Sequence, residues 1–207
     1  MSFVQNPVRI STRRITAQDN MVTIDYPVVK GLESPAAQHR INMTIAAAVN
    51  MLMREQGFYE KQKTEMLGWY EIKTNERGIL SLTIGNYAFT YPSAHGLTIV
   101  KGLTFDVNSG YSIELKDLFK PEADYDKVLS GIVEQQITDR NIDLLDEFKG
   151  IRPDQDFYIA DKSLVLFFQL YEITPYYMGL QYFPISVYQI QDIIAEEGAL
   201  GIMAAGD

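Results

Sequence analysis

Two histidines, His39 and His95, and no cysteine bound the chemistry open to this chain of 207 residues. Disulfides, thiolate metal ligands and cysteine nucleophiles are excluded, and two imidazoles without thiols do not make a structural zinc site. His95 sits in Tyr91-Pro92-Ser93-Ala94-His95-Gly96. It could hydrogen-bond a ligand, or tie its own loop to a neighbouring carbonyl or carboxylate. Ser93 lies nearby but not in a nucleophile-elbow context, and nothing local supplies a third member, so no triad is expected. His39 falls on the first turns of a helix and reads as a solvated imidazole.

The acids are numerous but not patterned. Asp154, Asp156 and Asp161 lack the ligand spacing and the glycine of a calcium loop, and turn or cap duties account for them. The run from Asp139 to Glu147 reads as a solvated helix end. The glycines are scattered as a strand meander requires, with no phosphate loop or dinucleotide fingerprint. The expectation is therefore no catalytic residue, no cofactor and no metal.

Aromatic residues are more concentrated. Phe167, Phe168, Tyr171, Tyr176, Tyr177, Tyr182, Phe183 and Tyr188 fall in one stretch. Tyrosines present large contact area with few rotors, which suits recognition, and they also fill sheet cores. The candidate binding residues are Tyr91, Ser93, His95 and Gly96 in one loop, and Tyr171, Glu172, Tyr176 and Tyr177 in another.

Charge separates along the chain. The formal net charge is −9. Residues 101–207 carry eight Lys+Arg against nineteen Asp+Glu, a balance of −11, while residues 1–100 carry ten against eight, a balance of +2. Such a half repels nucleic acid and anionic membranes and attracts a basic partner; it also serves solubility. No stretch is apolar enough to span a bilayer, since Ile41 to Met53 is interrupted by Asn42, Thr44 and Asn50.

These side chains are positioned by strands and helices that the sequence marks. Val8 to Ile15 and Met21 to Val29 read as strands. Ser34 is a plausible N-cap with Pro35 at the first helical position. Ile41, Ile45, Ala48, Val49 and Leu52 then recur on one helix face, up to a stop at Gly57. From Glu65 to Val107 the period is two, with turns at Asn75 to Gly78 and Asn108 to Gly110, and Tyr111 to Leu115 returns as a further strand. A second helix opens after Asp124 and buries Val128, Leu129, Ile132, Val133 and Ile137. Residues 140–156 read as irregular. Phe157 to Ile159 and Leu164 to Leu170 form a hairpin, and the unbroken apolar run Leu164 to Phe168 demands cover on both faces. Val187 to Ala195 reads as a short closing helix and Gly198 to Asp207 as a loose tail. Strands grouped apart from helices predict an α+β fold, a curved, mainly antiparallel sheet packed by two main helices.

The order Ala94-His95-Gly96, Leu103-Thr104-Phe105-Asp106, Leu115-Lys116-Asp117-Leu118-Phe119 and Tyr171-Glu172-Ile173-Thr174-Pro175-Tyr176 resembles the RsiV-type C-terminal domain. That domain belongs to lysozyme-sensing anti-sigma factor ectodomains and accompanies PdaC-type peptidoglycan deacetylases. In family members the His95 loop often reads Gly-Gly-Ala-His; Pro92 and Ser93 depart from the paired glycines. The resemblance implies a strand–helix companion subdomain over residues 1–60 and an RsiV-type domain over 61–197. It implies a non-catalytic binding or sensing module, with a basic, lysozyme-like protein or a cell-wall glycan as partner. The alternatives are a polysaccharide-directed hydrolase and a structural homo-oligomer. Membrane anchoring is usual among the sensors; the short polar lead after Met1 favours a cytoplasmic protein here.

Overall fold

The computed structural model describes residues 7–18, 21–60 and 63–205. The chain divides between Ser112 and Ile113 into two compact units.

The first unit is built on a five-stranded sheet. Strands β1 (Arg9–Ala17), β2 (Val22–Lys30), β3 (Thr64–Glu76), β4 (Ile79–Thr90) and β5 (Leu97–Asp106) lie in sequence order. All neighbours are antiparallel except β2 and β3, which pair in parallel over Val22–Ile24 and Met66–Gly68. Parallel neighbours need a crossover, and helix α1 (Pro35–Glu55) supplies it. Ser34 caps α1 by accepting from the Ala37 amide at 3.2 Å, with Pro35 in the first turn. Ile41, Ile45, Val49 and Leu52 are buried together with Ile24, Leu80, Leu82, Ile84 and Phe105. Asn42 joins α1 to β2: its Oδ1 accepts from the Val29 amide at 2.8 Å and its Nδ2 donates to the Val29 carbonyl at 2.9 Å. Arg77 and Gly78 make the tight β3–β4 turn, both at positive φ (53° and 77°), the geometry two-residue hairpins favour.

The second unit holds a three-stranded antiparallel sheet, β6 (Phe157–Ala160), β7 (Ser163–Phe168) and β8 (Gln181–Ser186), with β7 central. Residues 164–168 of β7 are all buried, and so covered on both faces. Helix α2 (Tyr125–Asp139) lies against β8 and buries Leu129, Val133 and Ile137.

The α+β class stands, but several boundaries differ from expectation. One curved sheet becomes two separate sheets. The compact units divide between Ser112 and Ile113, and α1 and β2 share a core with β4 and β5. Tyr111 to Leu115 makes only a single bridge, Phe105 to Ser112, before a 3-10 turn at Leu115–Leu118. Val128 faces solvent, and Asp124 precedes α2 without a side-chain cap bond. The expected helix at Val187 to Ala195 is a series of turns. Amide-to-carbonyl bonds Gln189 to Ser186, Ile190 to Val187 and Ile193 to Ile190 stack these turns. They bury Val187, Ile190 and Ile194 at helix-like spacing without a helix. Strand β8 was hidden by Pro184, which an edge strand tolerates. Residues 198–205 are not loose over their length: helix α3 (Ala199–Ala204) buries Leu200 and Met203.

Candidate binding site

The eight candidate residues fall on both units. Tyr91, Ser93, His95 and Gly96 lie in the β4–β5 connection of the first. Tyr91 is 75% exposed, and Ser93 closes a turn by donating its amide to the Thr90 carbonyl at 2.8 Å. His95 is exposed, and its Nδ1 lies 2.9 Å from the Gly96 carbonyl. A carbonyl only accepts, so Nδ1 carries the proton in that contact. Gly96 is buried, and a Cβ there would stand 2.3 Å from the Tyr87 ring. The absence of a side chain at Gly96 is thus explained by close packing.

Tyr171, Glu172, Tyr176 and Tyr177 lie on the second unit, in the connection from β7 to β8. Tyr171 is in the left-handed region at φ 64°, rare for a bulky residue. Its ring stacks on Tyr176, with centroids 5.5 Å apart. Tyr177 is the most exposed of the three, and its hydroxyl donates to Asp143 at 3.2 Å. That hydrogen bond, with the adjacent negative charge, raises the Tyr177 phenol above its ordinary pKa.

Glu172 is held rather than available. Its Oε2 accepts from the Gln169 amide at 2.6 Å, and its other oxygen pairs with Arg152. Arg152 also meets Asp154 at 3.3 Å and Asp156 at 3.8 Å. Asp156 accepts from Gln169 Nε2 at 3.0 Å. Carboxylates so engaged act as hydrogen-bond acceptors and ion-pair partners within the fold. Asp161 lies in the β6–β7 turn at φ 48°. Among the described residues no group of three His, Cys, Asp or Glu is arranged to hold a metal ion, and no helix is long and apolar enough to cross a membrane.

Beside Tyr171 and Glu172 opens a cleft of about 360 Å³. Its opposite wall is the segment Leu145 to Gly150, and Arg152, Phe168 and Ile173 complete it. The Leu145 amide donates to the Ile173 carbonyl at 3.0 Å, which ties the two walls together. Phe148 meets Phe168 edge to face at 6.0 Å. Sequence reasoning missed the 145–150 wall. The signal was present in Leu145 and Phe148, two apolar side chains inside an acidic irregular run.

The geometry agrees with known relatives. Residues 116–188 match a family described as a protein of unknown function, DUF3298. The anti-sigma-V factor RsiV of Bacillus subtilis is 30% identical over 192 residues, covering 85% of this chain and 66% of that protein. The peptidoglycan-N-acetylmuramic acid deacetylase PdaC of the same organism is 23% identical over 185 residues, covering 84% of this chain and 39% of PdaC. The chain thus spans just under two thirds of the first relative and well under half of the second. A DUF3298 family structure from Bacteroides fragilis aligns over 96% of this chain and 98% of its own, with a TM-score of 0.75 at 13% identity. A second, from Pseudomonas aeruginosa, aligns over 98% and 99%, with a TM-score of 0.72 at 12% identity. One of these relatives is named as an anti-sigma factor and the other as a deacetylase. The ordered motifs, the α+β fold and these matches together are consistent with an RsiV- and PdaC-type domain, with residues 116–188 matching the DUF3298 family.

Proposed function

We propose that this protein is a non-catalytic binding or sensing module for a basic protein partner, with a lysozyme as the first candidate. The observation that carries the reading is the charge of residues 113–207, −11, on the unit that also exposes Tyr171 and Tyr177. Acidic surface steers a basic partner into encounter, and exposed tyrosines supply the contact area that holds it. The relation to an anti-sigma factor supports a protein partner. The engagement of Glu172 and Asp156 by Arg152 weighs against a hydrolase.

The test is calorimetric titration of the full chain with hen lysozyme at low and moderate salt. Saturable binding that weakens as salt rises is expected. Tyr176→Ala and His95→Ala, measured separately, assign the contact to one unit or the other. Absence of binding at both salt concentrations removes lysozyme as the partner.

A further inference from the structure

The cleft beside Tyr171 has a chemistry of its own. One wall is an aromatic ring that is half exposed and fixed in place by its stack on Tyr176. Phe148 and Phe168 bring apolar surface to the cleft. Exposed Asp146 and Glu147 stand on the other wall beside Lys149. Arg152, which also lines the cleft, is shared among Asp154, Asp156 and Glu172, all within ion-pair reach. Among the lining residues the three carboxylates Asp146, Glu147 and Glu172 stand against the two cations Lys149 and Arg152, an excess of one negative charge.

We propose that the cleft receives an arginine side chain from the protein partner. This rests on the reading of the protein as a module for a basic partner and names what that partner inserts. A guanidinium is planar and weakly hydrated, so it stacks on a tyrosine face and still presents its N–H fork to carboxylates. Its three-carbon stem suits the apolar surface of Phe148 and Phe168. Asp146 and Glu147 supply the carboxylates, and the net charge of the rim repels an acidic guest. A neutral side chain of the same shape gains neither the cation–ring attraction nor the ion pairs.

The experiment uses the full chain labelled with nitrogen-15 and titrated with N-acetyl-arginine amide. N-acetyl-citrulline amide, nearly isosteric but uncharged, is the control. Saturable amide shifts confined to residues 145–150 and 171–173 are expected with the arginine compound and none with the citrulline compound. Tyr171→Gly removes the ring without straining the backbone and should weaken the response about threefold to fivefold, the size of an exposed cation–ring contact. Asp146→Asn combined with Glu147→Gln, both surface changes, should weaken it further. Equal shifts with citrulline, or shifts elsewhere on the chain, overturn the proposal. Lysozyme binding that persists unchanged in these variants, with no arginine response, overturns the cleft but leaves the basic-partner reading standing. An arginine response without lysozyme binding supports the cleft and removes lysozyme.

Discussion

Tyr171 and Tyr176 stack with ring planes inclined by 30°, although the Tyr171 backbone occupies the left-handed region. That conformation costs a non-glycine residue about 1–2 kcal/mol, and an aromatic pair contributes about 0.5–1.5 kcal/mol. The two nearly offset. Tyr171→Gly should therefore change stability by less than about 1 kcal/mol in denaturant melts. A loss above roughly 2 kcal/mol would mean that the ring is part of the core rather than a surface element.

Arg152 is the converse case. Its partners Asp156 and Glu172 have side chains only 9% and 18% exposed. Removing the guanidinium takes this counter-charge from two largely desolvated carboxylates. Arg152→Ala should destabilise by about 1–3 kcal/mol, well above the usual yield of a surface ion pair. An unchanged unfolding midpoint would mean that solvent already screens the network.

The Tyr177–Asp143 contact makes a pH-dependent prediction. The hydrogen bond to Asp143, then its charge, raises the phenol pKa in the folded protein. A raised folded value contributes stability that is present below the ordinary tyrosine range and lost as pH climbs through the folded value. Near-ultraviolet titration should show a tyrosine transition that moves to lower pH in Asp143→Asn. Tyrosines that ionise identically in both proteins would contradict the contact.

Strand β7 sets the stability of the second unit. It is hydrogen-bonded on both sides, and residues 164–168 are at most 5% exposed. Their amides should be among the slowest to exchange, opening only with the unit as a whole. Fast exchange at Leu166 would place β7 at an edge.

The parts legible in the sequence are those where local pattern and tertiary packing agree. Ser34, Pro35 and the Ile41–Leu52 stripe mark α1, and each is found in the predicted role. Leu164 to Phe168 carries no polar alternation because both its faces are covered. The errors arise where one pattern has two physical causes. Val187, Ile190 and Ile194 repeat as in a helix, but successive turns bury the same positions. Pro184 argues against a strand until that strand is known to be an edge. Tyr171 and Glu172 stood among the candidates because they open the Tyr171-to-Tyr176 motif in the aromatic stretch. Arg152 and the Leu145 to Phe148 wall were not, because their role depends on the Leu145 amide meeting Ile173, a contact across 28 residues of chain.

Thr174, next in the chain to Ile173 of the cleft, tests the packing of this connection. It is fully buried, and among the described residues its hydroxyl has no hydrogen-bond partner. An unsatisfied buried hydroxyl costs about 1–3 kcal/mol, whereas an apolar group of the same shape carries no such penalty. Thr174→Val should therefore stabilise the protein by roughly 1 kcal/mol, contrary to the usual destabilising effect of core changes. Thr174→Ser keeps the hydroxyl and loses the buried methyl, and should destabilise by about 1 kcal/mol. Opposite signs for the two variants in chemical denaturation are the expected result. Destabilisation by both would mean that the hydroxyl is bonded in solution, as a buried water molecule would allow.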